Sequence, residues 1–212
     1  MSSHVPAPGR FIVLEGLDGA GTTTQARLLA ERLVAQSRTV YLAHQPSEGP
    51  VGQLVRQILA GRTATAQADG KLATVDERTM ALLFAADRLD HLASQIEPRL
   101  SRGEDVLLDR YILSSLAYQG LSVSHDFIGT VNRYARKPDL TIFLYVPSAV
   151  AFERVKARGS RLERYETPQQ LAAIEREYNR QVGTLASVVS VDGTRGIQEV
   201  SDACYAAVQQ LV

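Results

Sequence analysis

The stretch Glu15–Gln25 (Glu-Gly-Leu-Asp-Gly-Ala-Gly-Thr-Thr-Thr-Gln) constrains this chain more than any other. An apolar run, Phe11-Ile12-Val13-Leu14, precedes it, and a helix-like run, Ala26 to Ala35, follows. Strand, glycine-rich turn and helix form, in that order, the context in which backbone N–H groups cradle an anion. Gly16, Gly19 and Gly21 let the backbone approach a bound group closely. The helix beginning near Thr22 adds the positive end of its dipole.

The spacing is that of the phosphate-binding loop G-x-x-x-x-G-K-[ST]. Gly16 and Gly21 fill the glycine positions, and Thr23 fills the metal-side hydroxyl position. Leu17, Asp18, Gly19, Ala20, Thr22 and Thr24 complete the loop and its exit. Thr22 stands where the pattern has lysine, so it can hydrogen-bond a phosphate but brings no charge. An ordinary tight turn between a strand and a helix is the plainer alternative.

Bulk properties fit one soluble domain with a substantial core: 212 residues, 45% hydrophobic and 22% charged. Formal net charge is zero, which argues against a nucleic-acid or membrane partner and makes any phosphate-binding charge local. The single cysteine, Cys204, has no partner for an internal disulfide. Residues 1–9 lack an apolar segment and read as a disordered tail before a single domain spanning 10–212, with the cytoplasm as the expected location.

Five apolar segments read as buried parallel strands: 11–14, 40–43, 106–108, 140–146 and 188–191. Helical patterns separate them at 23–36, 51–60, 75–101, 148–157, 168–186 and 197–211, with a loop at 61–71. Strands alternating with helices imply a parallel sheet covered on both faces, an α/β fold.

In the long helix, Thr74 and Glu77 have capping-box spacing. Leu82, Ala86, Leu89, Ala93 and Ile96 read as one core-facing stripe. Phe84 then shares the opposite face with Arg88, His91 and Gln95. Phe84 and Arg88 suit stacking on a base and binding a phosphate; equally, Phe84 could pack under a loop or at a dimer interface. Further on, Asp109 ends an apolar strand, where it would emerge beside the phosphate loop and hold Mg²⁺, with Arg110 in the same crevice. The alternative is a surface ion pair. Between 154 and 164 lie five basic residues, Arg154, Lys156, Arg158, Arg161 and Arg164. They suit a mobile flap that neutralises a transferring phosphoryl group, or simply a solvated turn.

With these motifs in view, the chain from Phe11 to Val212 resembles the thymidylate kinases, nucleoside monophosphate kinases with a three-layer α/β/α P-loop fold and a five-stranded parallel sheet. The resemblance rests on residues 11–21, on Leu-Phe-Ala-Ala-Asp-Arg (83–88), on Asp-Arg-Tyr (109–111), on Ser114, Ser115, Tyr118, Gln119 and Gly120, and on a lid near 157–167. It implies ATP and dTMP as substrates, Mg²⁺ as cofactor and a homodimer. It further implies that Phe84 stacks on thymine and that Arg88 holds the monophosphate, with Arg56 beside it. Ser114, Ser115 and Gln119 would line the base and sugar pocket, and Tyr118 would exclude a 2′-hydroxyl. Asp18 would reach the sugar or the metal's water shell, Arg110 would bridge the two phosphates, and Thr23 with Asp109 would hold the metal. Arg158, Arg161 and Arg164 would come from the lid, Arg164 as the catalytic arginine of the bacterial type.

This sequence departs from that pattern twice. Thr22 replaces lysine, and Ala43-His44-Gln45-Pro46 stands where many relatives read Thr-Arg-Glu-Pro. Arg110, Arg161 and Arg164 are the candidates to restore the missing charge. A kinase for another nucleotide or nucleoside, and a non-catalytic nucleotide-binding protein, remain as competing readings of the same residues.

Overall fold

The computed structural model describes residues 8–159, 163–185 and 187–211. Most of the stretch expected to be a tail, residues 1–7, lies outside them. Gly9 is already buried, and its N–H donates to the Leu100 carbonyl at 2.8 Å.

Five parallel strands form the sheet: β1 (Phe11–Gly16), β2 (Val40–His44), β5 (Asp105–Asp109), β6 (Leu140–Tyr145) and β7 (Val188–Asp192), in the order β2-β5-β1-β6-β7. They coincide with the five expected segments to within a few residues. β1 and β5 are buried throughout because both faces are covered. Ile12, Leu14 and Leu107 enter one apolar cluster, and Phe11, Val13, Val106 and Leu108 enter the other. That is why their sequences read as unbroken apolar runs.

Helices α1 (Thr22–Ala35), α2 (Pro50–Leu59), α7 (Ser148–Ala157), α8 (Pro168–Val182) and α9 (Ile197–Gln209) match the expected spans, except that α8 stops at Val182. The expected loop at 61–71 contains half of a small antiparallel hairpin, β3 (Thr65–Ala66) and β4 (Leu72–Ala73), turned at Asp69-Gly70 with Gly70 at φ 81°. Two short helices, α5 (Ile112–Tyr118) and α6 (His125–Val131), were not expected.

The long helix differs most. It divides into α3 (Glu77–His91), a π-helical stretch Leu92–Ile96, and α4 (Glu97–Ser101). Its cap is Asp76, which accepts from the Arg78 N–H at 2.9 Å, and not Thr74. The expected core stripe is also reversed. Leu82, Ala86, Leu89 and Ala93 are exposed, while Ala81, Ala85, Arg88 and His91 are buried. Periodicity shows that one face carries apolar side chains; it does not show which surface covers them. The wider π turns shift the phase, so Ile96 alone of the stripe returns to the interior.

At the opposite end of β5 from the candidate site, Asp105 is fully buried between Arg10 and Arg38, each 2.6 Å from one of its oxygens. Burial alone would raise this carboxyl, but hydrogen bonds from Arg38 and Arg10 outweigh it and bring the pKa down to about 2. The resulting stability is complete above the unfolded value of about 4 and is lost as pH falls toward 2. Asp105→Asn is expected to cost about 3 kcal/mol at neutral pH and to flatten the acid limb of stability. Urea unfolding between pH 3 and 7 checks both.

Candidate active site

The sheet order puts the carboxyl ends of β1 and β5 side by side, with Leu14 in register with Asp109. The order of winding reverses there, since β1 leads through α1 to the edge strand β2 on one side, while β5 leads across β1 to β6 on the other. In open α/β sheets such a switch point opens a crevice for ligands.

The loop after β1 closes tightly. A Cβ on Gly16 would lie 2.9 Å from both Ala20 Cβ and the Leu144 carbonyl, and Gly21 caps α1 at φ 95°. Leu17 and Ala20 point into the core, which anchors the cradle from below. Thr22 is buried, its methyl packed toward Gly16. Thr23 donates its hydroxyl to Asp109 Oδ2 at 2.5 Å. Asp109 Oδ1 is buried and has no partner among the described residues. The Thr23 hydroxyl and the open oxygen of the Asp109 carboxylate are hard donors of the kind Mg²⁺ takes beside substrate phosphates. Among the described residues no cluster of three or more His, Cys, Asp or Glu could hold a metal without such help.

Arg110 follows Asp109 in a left-handed conformation (φ 72°), a strained geometry for a side chain of this size. Its guanidinium donates to the Gly16 carbonyl at 2.8 Å and to Asp18 Oδ1 at 2.7 Å, and lies over the Tyr118 ring. Tyr118 in turn donates to Asp18 Oδ2 at 3.0 Å. Beneath them, Glu15 is fully buried and accepts from the Tyr111 N–H at 2.8 Å, the Ser114 hydroxyl at 2.5 Å and the Tyr178 hydroxyl at 3.1 Å. Burial raises the Glu15 carboxyl above its ordinary value, against the pull of Ser114 and Arg110.

From Arg110 a cavity of about 160 Å³ runs inward, and Phe84, Arg88, Ser114, Ser115, Tyr118 and Gln119 all line it. Arg88, one of the lining residues, is 1% exposed. It bonds Asn132 and donates to the Tyr111 carbonyl and the Ser115 hydroxyl, both at 3.0 Å; burial lowers its pKa to about 10. A wider chamber of about 920 Å³ borders Thr23, Asp109, Arg110 and Arg56. Arg56 braces its wall, donating to the Pro46 and Ser47 carbonyls at 2.7 and 2.6 Å. On the outer side of the loop a third cavity meets Gly19, Gly21, Thr24 and Arg154.

Of the arginines expected in a lid, the described ones, Arg158 and Arg164, are engaged in ion pairs. Arg164 donates to the Val75 carbonyl at 2.7 Å and to Glu77 at 2.8 Å, and Tyr165 donates to the other Glu77 oxygen at 2.8 Å. Arg158 pairs with Glu166. Arg161 lies outside the described residues. Sequence reasoning gave no site role to Glu15, Glu77, Tyr165 or Tyr178, and took Arg154 only as one of five basic residues of a flap; its guanidinium approaches the Gly19 carbonyl at 3.4 Å and the Gly193 carbonyl at 3.0 Å. Glu15 had a local signal, its place against Gly16, and Arg154 had the basic run.

Comparison with known proteins bears on the same elements. The family model described as thymidylate kinase matches residues 14–204. The chain belongs to the thymidylate kinase family. A protein of Pyrococcus abyssi named "Probable thymidylate kinase" is 35% identical over 204 residues, covering 95% of this chain and 96% of that one. One of Pyrobaculum aerophilum with the same name is 37% identical, covering 90% and 92%. One of Methanocaldococcus jannaschii, also so named, is 43% identical, covering 70% of each chain. In this member of the family, the clasp on Glu77 should hold the lid's downstream end in place. Glu77→Gln is expected to speed tryptic cleavage after Arg164 several-fold, read by timed digestion and mass spectrometry; an unchanged rate would mean that the clasp does not restrain the lid.

Proposed function

We propose that the protein transfers the γ-phosphate of ATP to dTMP, giving ADP and dTDP. The observation that carries this reading is the meeting of two chambers at Arg110, beside the phosphate loop of a thymidylate kinase family member. ATP would lie with its base outside, by Arg154 and Gly193, and its phosphates on the loop's N–H groups. The acceptor would enter from the other side. Thr23 and Asp109 would hold Mg²⁺, which when bound neutralises the terminal phosphates of ATP. The acceptor's phosphate oxygen is already a nucleophile, so positioning and charge neutralisation suffice and no covalent intermediate forms.

We propose for Arg88 a role other than the one the resemblance implies. It is engaged with Asn132, Tyr111 and Ser115, and its Nε–H is buried without a partner among the described residues. That environment suits a base carbonyl beside the stacking face of Phe84. The phosphate dianion would then lie in the wider chamber, with Arg56 and Arg110. Tyr118 and Asp18 then flank the sugar.

The geometry also suggests what replaces lysine. Arg110, which is also paired with Asp18, and Arg154 are the described arginines whose guanidiniums touch loop carbonyls; Arg158 and Arg164 are paired with Glu166 and Glu77. A cation about 4 Å from a phosphate charge contributes about 4 kcal/mol at an effective dielectric near 20.

The exposed stripe Leu82, Ala86, Leu89 and Ala93, with Leu54 exposed on the neighbouring α2, supports a homodimer formed through α3. Our reading puts the enzyme in the cytoplasm, where ATP and dTMP meet; among the described residues no helix is long and apolar enough to cross a membrane.

An ADP-release assay with ATP, Mg²⁺ and each of dTMP, dUMP, dCMP and dGMP tests the reaction. Turnover should be highest with dTMP, and inactivity with all four would overturn the proposal. In the same assay Arg154→Ala and Arg110→Ala should each lower kcat about 100-fold or more, while Thr22→Lys should change it less than about tenfold. Leu89→Glu should convert a dimer to a monomer in sedimentation.

A further inference from the structure

Gln45 opens the loop between β2 and α2. Its side chain is 5% exposed, yet among the described residues neither its Nε2 nor its Oε1 has a hydrogen-bond partner. The backbone around it is fixed from three directions. The Gln45 N–H donates to the Asp109 carbonyl at 3.0 Å, Arg56 grips the next two carbonyls, and Ser47 donates from N and Oγ to the buried Asp87 at 2.8 and 2.5 Å. The loop therefore cannot shift to satisfy the amide. A buried carboxamide left dry at both edges is costly, and the usual resolution is a ligand or water that supplies the partners. The side chain borders both inner chambers, as do Pro46 and Arg110, and so stands where the base-lined cavity opens into the wider one.

We infer that Gln45 is a specificity-determining contact of the acceptor site, donating its amide N–H to the acceptor's monophosphate, and that its lack of charge is matched to the lack of charge at Thr22. This rests on assigning the wider chamber to the acceptor's phosphate. A carboxylate here would face a phosphate dianion, with Asp109 anchoring the same backbone. A lysine at position 22 could offset that repulsion across the joined phosphates. Thr22 cannot. Positions 22 and 45 by themselves sum to zero formal charge, whether as Thr and Gln or as the Lys and Glu of the resembling pattern; the pattern's arginine at position 44 is His44 here, half-exposed and 3.1 Å from Glu48. A carboxylate at 45 without lysine at 22 would leave the site one positive charge short.

The test uses calorimetric dTMP titration of the full-length protein, with thermal melts confirming that each variant folds. Gln45→Leu should weaken dTMP binding about tenfold or more, with the KM for ATP unchanged. Gln45→Glu, nearly the same size, should weaken it more. Its penalty should shrink at least fivefold in the Thr22→Lys background, a coupling read from the double-mutant cycle. Phe84→Ala and Arg56→Ala serve as references. If they weaken dTMP and both Gln45 variants bind like the unaltered protein, the contact is refuted while the acceptor site stands. If none of the four matters, the acceptor reading itself fails. An equal Gln45→Glu penalty in both backgrounds would refute the charge matching.

Discussion

One buried carboxylate ties the architecture of the site together. Glu15 sits at the end of β1, fully buried, directly before the first loop glycine. It accepts hydrogen bonds from the start of α5, through Tyr111 and Ser114, and from Tyr178 on α8. A charge in that position requires several good donors, and here they come from two parts of the chain remote from β1. By satisfying it, the protein fixes the phosphate loop relative to the wall of the inner cavity. Arg110 spans the same junction from above, held by Gly16 and Asp18. In the proposed reaction, the donor on the loop and the acceptor in the inner cavity would meet at this joint, the arrangement in-line transfer between two phosphates requires.

Electrostatics around that joint follow from Thr22. Without lysine, the loop offers N–H dipoles and hydroxyls, and net charge must come from side chains outside it. Arg110 and Arg154 are held on loop carbonyls and need no large movement to reach a bound phosphate. Arg164 would first have to leave Glu77, and its exchange of partners would link lid position to the head of α3. An uncharged Gln45 keeps the acceptor side from adding negative charge to a loop already short of positive charge. On the inference drawn above, Thr22 and Gln45 would act as one electrostatic unit.

Much of this was legible in the sequence, for identifiable reasons. The strands β1 and β5 announce themselves because burial on both faces leaves no polar alternation. The phosphate loop and Asp109 depend on local geometry at strand ends, so spacing alone locates them. α5 and α6 have seven residues each, too few turns for a periodic signal. In α3 the period was clear but its sense was inverted, because the buried face carries the polar Arg88, which lines the cavity, and His91, while the stripe Leu82, Ala86, Leu89 and Ala93 looks outward. The contacts of Glu77 with Arg164 and Tyr165, and of Arg154 with Gly19, join residues 87, 88 and 135 positions apart, a relation no spacing rule contains. Gln45 was visible as a departure, but not as an amide without partners.

The central claim is that guanidinium groups supply the positive charge absent at Thr22. The most direct measurement is a crystal structure with a non-hydrolysable ATP analogue, Mg²⁺ and dTMP bound together. The account predicts Arg110 and Arg154 nitrogens within about 3 Å of phosphate oxygens on either side of Thr22. Phosphates contacted there only by backbone N–H groups, hydroxyls and solvent would contradict it.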